Sequence, residues 1–335
     1  ARYVPAYVAL ASIAFADRNE TAAIRWLEQA IASNRQATEP RLMLADYRMR
    51  KGQPEQALRL LREAADAAPA VPQVQLALAR GLRLNRDYDG ATKVLDALEQ
   101  KLPESRDLGL ERSQVLSARG EYDAARAVLD GILARSPGDV TALLALAQLE
   151  VSAGRHEPAM AAIARFEQAA PEDARGPATR GDVLYVAKQY KAAAAAYAEA
   201  FKLAPAAILV IRRADAEHRG GDTATALAQL RGWLEEHPDD QAALLAIASL
   251  EEETGGGDAA VGYYEQLLAL NADHPIALNN LAYAYLRAGD PRALAYAERA
   301  YKIAPQSYAI ADTLGWILLQ GGSTQRALAI LQKAA

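Results

Sequence analysis

The sequence predicts an all-α solenoid of about ten helix–turn–helix units, and two periodic features carry this prediction. Pro69, Pro103, Pro137, Pro171 and Pro205 follow one another at intervals of 34 residues. Small residues, mostly alanine, return at the same interval within the predicted helices. Because a solenoid grows by adding units that contact only their neighbours, a chain of 335 residues does not require one central core. The repeat therefore outweighs the two or three globular domains that length alone suggests.

Residues 278–305 contain one complete unit. Apolar side chains occupy the i, i+3, i+4, i+7 and i+8 positions of an amphipathic helix: Leu278, Leu281, Ala282, Tyr285 and Leu286. Gly289 ends this helix, because glycine adopts the left-handed backbone that a tight turn requires. A second helix, Arg292 to Ile303, ends before Pro305, since proline disfavours helix in the residue that precedes it.

Packing within each unit depends on small residues at two positions. Where the first helix crosses the second, it carries Ala11, Ala45, Ala79, Ser113, Ala147, Gly181, Ala248, Ala282 or Gly315. The second helix carries Ala23, Ala57, Ala91, Ala125, Ala159, Ala193, Ala226, Ala260, Ala293 or Ala327. A larger residue follows four places later, as in Leu27, Leu61, Leu95, Leu129, Ile163, Tyr197, Leu230, Tyr264 and Leu331. Small facing residues let the backbones approach, so leucine at Ala147 or Ala193 is expected to cost about 1–3 kcal/mol.

The repeat predicts one continuous array over residues 1–335. Its units start near Val4, Thr38, Pro72, Arg106, Val140, Ala174, Ala207, Gln241, Pro275 and Tyr308. The unit that begins at Ala207 is the least regular, and its first helix carries Arg212 and Arg213. The array begins close to one unit boundary and ends inside a unit, so we expect a fragment of a longer protein.

The last unit resembles the tetratricopeptide repeat (TPR) superfamily through Leu314, Gly315, Leu318, Ala327 and Leu331. The 34-residue period is that of the TPR, and the resemblance covers essentially the whole chain. It implies a right-handed superhelix in which the first helix of each unit lines a concave face.

Two segments carry a narrower resemblance. Residues 289–301 and 312–318 are similar to the exosortase-linked (PEP-CTERM system) TPR lipoproteins that bacteria encode in exopolysaccharide loci. This resemblance implies a periplasmic protein, anchored to the outer membrane in its full-length form. A cytoplasmic location stays open on the sequence.

Composition points away from most kinds of chemistry. The net charge of −5 gives no basic footprint for nucleic acid, and the absence of cysteine excludes disulfides and thiolate catalysis. None of the four histidines has the helical spacing of a metal site. The glycines at 255–257 lack the lysine of a phosphate loop, and the acidic run 251–253 is expected to be a solvated helix face. We therefore expect no catalysis, cofactor or metal.

The TPR resemblance projects a set of side chains onto the concave face: Asp46, Arg80, Arg83, Gln114, Gln148, Asp182, Tyr185, Asn279, Asn280, Tyr283, Asp312 and Trp316. Arg212 and Arg213 join them if the register of their unit holds. Arg80 and Arg83 lie one turn apart and suit a carboxylate or phosphate. The last five residues of the set form a polar and aromatic cluster that suits a peptide or a sugar. The alternative is that Tyr283 and Trp316 only pack between helices.

Three functions remain open on the sequence. The first is a non-catalytic scaffold that binds a protein or peptide segment in its groove and holds secretion components in place. The second is a guide that contacts polysaccharide during export, and the third is the TPR portion of an enzyme whose catalytic domain lies elsewhere. Self-association through the C-terminal helix, Arg326 to Ala335, is a further possibility, because no neighbour covers it.

Overall fold

A computed structural model describes residues 3–334, and these residues form twenty α-helices and no β-strand. Consecutive helices pair as hairpins, and the first helix of each hairpin begins within one residue of its predicted start. The irregular hairpin begins at Ala207, as predicted. The all-helical repeat prediction is therefore confirmed. No helix in the described part of the chain is long and apolar enough to cross a membrane.

The chain divides into two compact units, Ala1–Pro171 and Glu172–Ala335. Unit 1 contains α1 (Val4–Ala16), α2 (Glu20–Ser33), α3 (Glu39–Arg50), α4 (Pro54–Ala67), α5 (Pro72–Leu84), α6 (Tyr88–Glu99), α7 (Arg106–Ala118), α8 (Tyr122–Arg135), α9 (Val140–Ser152) and α10 (His156–Ala169). Unit 2 contains α11 (Arg175–Val186), α12 (Tyr190–Leu203), α13 (Ala207–Arg219), α14 (Thr223–Glu236), α15 (Gln241–Glu253), α16 (Gly257–Leu270), α17 (Pro275–Arg287), α18 (Arg292–Ile303), α19 (Tyr308–Gln320) and α20 (Thr324–Ala334). One continuous array across both units stays a prediction. Residues 1, 2 and 335 of the predicted array lie outside the described residues. Residue 335 is the last residue of the predicted C-terminal helix.

The turn inside each hairpin contains one residue with a left-handed backbone. Glycine occupies this position in seven hairpins, as at Gly120, where φ is +80°. Arg18, Arg86 and Lys188 occupy it in the other three, with φ between +57° and +63°. A left-handed backbone places the Cβ of these residues close to the following carbonyl oxygen, so the three cationic turns are strained.

The core of each hairpin lies where the sequence predicts it. The small residues and nearly all of the larger residues that follow them are buried, and Leu331 is half-buried. Gly181 illustrates the close approach, because a Cβ there would lie 2.5 Å from a ring carbon of Tyr197. The tyrosine ring therefore occupies the space that a side chain at residue 181 would need.

Candidate functional site

The predicted binding residues lie on first helices, and neighbouring first helices contact one another within each unit. In unit 1, α5 contacts α7 and α7 contacts α9; in unit 2, α13 contacts α15 and α17 contacts α19. We call the surface formed by these helices the first-helix wall of the unit. It is where residues from different hairpins come together.

A cavity of 390 Å³ opens on the first-helix wall of unit 1. Its lining combines serines and glutamines with a few apolar residues: Arg83, Ser113, Gln114, Ser117, Ala118, Leu129, Ala145, Gln148, Leu149 and Ser152. Gln114 and Gln148 occupy equivalent positions on α7 and α9, and both side chains are exposed. Among the described residues, neither amide has a hydrogen-bond partner. The Ser113 and Ser152 hydroxyls instead donate to carbonyls of their own helices, over 2.7 and 2.9 Å.

The predicted arginine pair binds a carboxylate of its own chain. Arg83 donates through Nε to Glu111 over 2.6 Å, and Arg80 does so over 3.4 Å. Glu111 is only 2% exposed, so its charge is balanced inside the protein. The sequence analysis missed this acid, although the equivalent position is alanine or methionine in the other hairpins of unit 1. An acid where the repeat places apolar residues was the available signal.

Asp46 is also engaged within the protein. It is exposed on α3 and binds Arg50 one turn later, over 2.9 Å. Exposed pairs of this kind are readily broken, because solvent screens them. Asp46 is therefore available to a ligand only in competition with Arg50.

Asp182 and Tyr185 belong to an internal network in unit 2. Asp182 accepts hydrogen bonds from Tyr197, over 2.8 Å, and from Arg212, over 2.8 Å. The Tyr185 hydroxyl donates to Asp215, and burial together with this carboxylate raises the pKa of Tyr185 to about 12. These predicted binding groups thus join α11, α12 and α13. Sequence reasoning missed Tyr197 and Asp215 as their partners.

Arg213, in contrast, pairs within its own helix. It donates through Nε to Glu217 over 2.8 Å, one turn later on α13. Burial raises the pKa of the Glu217 carboxyl, while Arg213 opposes that rise. Arg213 is therefore already paired with the nearly buried Glu217.

Asn279 and Asn280 form one end of a directed hydrogen-bond chain. Tyr264 donates its hydroxyl proton to Glu252 over 2.9 Å, so its oxygen accepts from Asn280 over 2.8 Å. Asn280 in turn accepts from the Asn279 amide over 3.2 Å. The Asn279 Oδ1 at the end of the chain is buried without a partner. Burial is the main cause that raises the pKa of Tyr264 to about 12.

The remaining predicted residues are exposed on α17 and α19. Tyr283 is 43% and Trp316 51% exposed, so these rings are not simply packed between helices. Asp312 is exposed one turn before Trp316 and has no ion-pair or hydrogen-bond partner among the described residues. These three side chains remain free to contact a ligand.

The acidic run at the end of α15 is not a uniformly solvated face, so that prediction is wrong. Glu251 is 6% exposed and pairs with Arg231 of α14, because its position faces the preceding hairpin. Glu252 accepts from Tyr264, whereas Glu253 is largely exposed and lies 3.5 Å from His218. No group of histidine and acidic residues in the described part of the chain is arranged to hold a metal ion.

Two protein-family models match the sequence, and both are described as tetratricopeptide repeat. One matches residues 116–178. The other matches residues 42–106, 179–241 and 245–308. No curated protein matches the sequence.

Solved structures of helical repeat proteins resemble this protein at low sequence identity. A chain of the APC/C hetero-tetramer Cut9–Hcn1 has a TM-score of 0.47 at 16% identity; the match covers 89% of this protein and 59% of that chain. A thermophilic TPR protein of Thermus thermophilus has a TM-score of 0.48 at 20% identity, covering 54% of this protein and 98% of its own chain. YrrB, described as a TPR protein with an unusual peptide-binding site, has a TM-score of 0.41 at 18% identity, covering 54% and 95%.

Proposed function

Because the chain belongs to the tetratricopeptide repeat family, whose members generally mediate protein–protein interaction, we propose that it is a non-catalytic scaffold. Its first-helix walls would bind an extended segment of a partner protein. The proposal assigns no chemistry to the chain; Arg83, Tyr197 and Tyr264, for example, are engaged in contacts that join helices.

The observation that carries this proposal is the pair of free amides in the unit 1 cavity. Gln114 and Gln148 present the same group from equivalent positions of α7 and α9. Each primary amide offers two N–H donors and one carbonyl acceptor, the complement of a peptide main chain. Arg83, the charged residue of the lining, is already bonded to Glu111, so the two amides are the groups available to a peptide main chain.

A peptide library displayed on phage and selected against the full chain tests the proposal. Peptides recovered from it are measured by calorimetry against the protein and against a Gln114→Ala/Gln148→Ala variant. Two hydrogen-bonding amides contribute enough that the variant should bind about tenfold more weakly. A Gln29→Ala/Gln168→Ala variant, which alters exposed glutamines on the second helices α2 and α10, should bind like the parent.

Two results would contradict the proposal. The selection can yield no peptide that binds the full chain, or the selected peptides can bind both double variants equally. The second result would place binding outside the cavity. Far-UV circular dichroism of each variant establishes beforehand that the helices are intact.

We propose further that this scaffold acts in the bacterial periplasm, in exopolysaccharide or protein-sorting secretion. This setting rests on the resemblance of residues 289–301 and 312–318 to exosortase-linked lipoproteins. Cell fractionation of the full-length protein tests it. Recovery in the cytoplasmic fraction would overturn it.

A polysaccharide contact is the second candidate function, and the exposure of Trp316 and Tyr283 favours it. An exposed aromatic ring offers a flat apolar surface on which a sugar ring can lie. Titration with neutral oligosaccharides, with a Trp316→Ala variant as the comparison, tests this candidate. Absence of saturable binding would remove it.

A further inference from the structure

Four side chains of unit 2 form a patch on the first-helix wall, and three of them, Tyr283, Asp312 and Trp316, are exposed. Asn279 and Tyr283 lie one turn apart on α17, and Asp312 and Trp316 lie one turn apart on α19. The two pairs hold equivalent positions around Ala282 and Gly315, and α17 contacts α19. Two polar residues therefore form one row of the patch, and two aromatic rings form the other. We call these four residues the aromatic–acidic patch.

The polar row presents negative charge and no free cation. The Asp312 carboxylate is exposed and has no partner in the described part of the chain. Asn279 turns its amide N–H towards Asn280, because Asn280 uses its own amide to donate to Tyr264. The Asn279 carbonyl is the group of that side chain left without a partner. The hydrogen-bond chain thus uses an Asn279 N–H donor internally, and the unpartnered Asn279 carbonyl oxygen is buried, so the exposed Asp312 carboxylate supplies the charge of this row.

The aromatic row has the same electrostatic character. The faces of phenol and indole rings carry the negative part of the ring quadrupole, and a cation above them is attracted. Tyr283 and Trp316 keep about half of their surface exposed, so part of each ring remains in solvent. A ligand with a positive group on an apolar stem can contact the rings and neutralise Asp312 at the same time.

We propose that the aromatic–acidic patch binds a lysine or arginine side chain of a partner protein segment, with Asp312 as its counter-ion. This inference rests on the proposed function and adds the chemistry of the residue that is recognised. An anionic group would meet the uncompensated Asp312 carboxylate. A neutral sugar would gain the ring contact alone and would leave the carboxylate unused.

Arg287 is a cation next to this patch, but it does not reverse the negative charge there. Arg287 is exposed one turn beyond Tyr283 and has no partner among the described residues. It lines a cavity that also contains the carboxylates of Glu252, Asp258 and Asp290. Arg292 in the same lining is paired with Asp290 over 2.8 Å. The acids around Arg287 therefore outnumber the cations.

The test uses the full chain and three short blocked peptides of glycine and serine. One carries two arginines, one replaces them by citrulline, and one replaces them by glutamate. Citrulline keeps the shape of arginine and removes its charge. The chain has three tryptophans, so the indole N–H signals in nitrogen-15 NMR report binding at Trp316 separately from Trp26 and Trp233.

The arginine peptide should shift the Trp316 signal alone and bind about fivefold to tenfold more tightly than the citrulline peptide. Asp312→Asn should reduce that preference to about twofold, because the ring contact remains. Trp316→Leu is read by calorimetry and should weaken the arginine peptide by about fivefold while hardly affecting citrulline.

Two matched controls should bind like the parent. Glu39→Gln removes an exposed acid at the start of another first helix, α3. Tyr308→Leu removes an aromatic ring that is 72% exposed at the start of α19, outside the patch. Circular dichroism of all four variants checks that each retains its helices.

Equal binding of arginine and citrulline peptides, or tighter binding of the glutamate peptide, would overturn the inference. So would a Trp316 shift produced by a neutral oligosaccharide but not by the arginine peptide. In each case the proposed function stands if library-selected peptides still depend on Gln114 and Gln148. Loss of that dependence as well would reject both.

Discussion

Units 1 and 2 share one hairpin plan, and the joints between their hairpins use two kinds of contact in different proportions, exposed ion pairs and tyrosine hydroxyls. In unit 1, cations at the turns reach acids in the first turn of a preceding second helix. Arg119 binds Asp89 over 2.8 Å, and Arg155 binds Asp123 over 2.7 Å. All four side chains are at least one-third exposed, so these pairs are screened by solvent and salt.

Buried tyrosines also join hairpins: in unit 1 Tyr47 donates to Glu20 over 2.9 Å, and in unit 2 tyrosines link hairpins at several joints. Tyr264 links Glu252 and Asn280, while Tyr285 donates to Glu265 of the preceding hairpin over 2.9 Å. Removal of a buried hydroxyl costs more than loss of an exposed ion pair where the bonded partners are shielded from water, as at the half-buried Glu252 and Asn280. The repeat therefore determines where two hairpins meet. The side chains at that contact determine whether its stability depends on salt or on pH.

The largest effect should come from the larger residue at the helix crossing, which both units share. Leu95 of unit 1 is completely buried. Leu95→Ala removes apolar contacts and leaves a cavity, so the free energy of unfolding should fall by about 3 kcal/mol. Guanidinium denaturation followed by far-UV circular dichroism measures this.

Leu328→Ala on α20 is the control for that experiment. Leu328 is 54% exposed, so its truncation should change the free energy of unfolding by less than about 0.5 kcal/mol. Similar losses for the two variants would mean that the crossing position does not carry the packing of the hairpin.

The next largest effect on the free energy of unfolding should be that of Tyr264→Phe. Tyr264 holds the helix-crossing position in unit 2 that Leu95 holds in unit 1, and the change keeps its ring. The change removes one hydroxyl, so the Glu252 carboxylate and the Asn280 amide N–H each lose the hydrogen bond that they make to Tyr264. The free energy of unfolding should fall by about 2 kcal/mol. Tyr308→Phe, at an exposed ring, should leave it unchanged in the same denaturation experiment. A neutral result at Tyr264 would remove the contrast between the units.

Alkaline pH should reduce the difference in the free energy of unfolding between the parent and Tyr264→Phe. The pKa values of Tyr185, Tyr264 and Tyr285 are raised to about 12, chiefly by burial, whereas an unfolded tyrosine ionises near pH 10, with a pKa of about 10. Between these values the unfolded chain releases protons that the folded chain retains, so the free energy of unfolding falls as pH rises. This stabilisation is complete below about pH 10.

Melting temperatures of the parent and of Tyr264→Phe between pH 9 and pH 12 measure that change. Comparison with the variant cancels the deprotonation of lysines, which both proteins share. A difference that stays constant over this range would show that Tyr264 does not resist ionisation in the folded protein.

The sequence was sufficient to predict the hairpins, because their determinants are local and periodic. The irregular hairpin was also predicted at Ala207, although it starts 33 residues after Ala174 and not 34. Small residues such as Ala147 and Ala193 marked the helix crossings, since no larger side chain fits where two backbones approach. Periodicity also selects the residues of the first-helix wall.

Periodicity could not predict which residues of the first-helix wall are bonded to another side chain and which are free. Whether Arg83 is free depends on Glu111, which lies 28 residues later on another helix. The repeat gives the position of such a side chain, but the pair forms only where the individual residues are complementary in charge. Asp182 and Tyr185 were expected on the wall, and their engagement by Tyr197 and Asp215 followed only from coordinates. Asp312 and Trp316 stay exposed because no such partner is present within residues 3–334.

The turns offer a smaller test in both units at once. Arg86 of unit 1 and Lys188 of unit 2 have a left-handed backbone where most hairpins have glycine. Arg86→Gly and Lys188→Gly should each raise the free energy of unfolding by about 0.5–1 kcal/mol, because relief of strain exceeds the entropy that glycine adds to the unfolded chain. Gly120→Ala should lower it by a similar amount. Denaturation curves in which both glycine variants are less stable would contradict this account.

The smallest effect should be the coupling between Arg155 and Asp123. A double-mutant cycle with Arg155→Ala and Asp123→Ala isolates their pair from the contact that Arg155 also makes with Glu150. The coupling should be about 0.5 kcal/mol at low salt and should disappear near 1 M sodium chloride, because salt screens exposed charges. The hydroxyl coupling of Tyr285 with Glu265, measured through Tyr285→Phe and Glu265→Ala, should retain most of its value in the same salt. Equal salt sensitivity at both joints would mean that the two units differ in sequence but not in the physics of their joints.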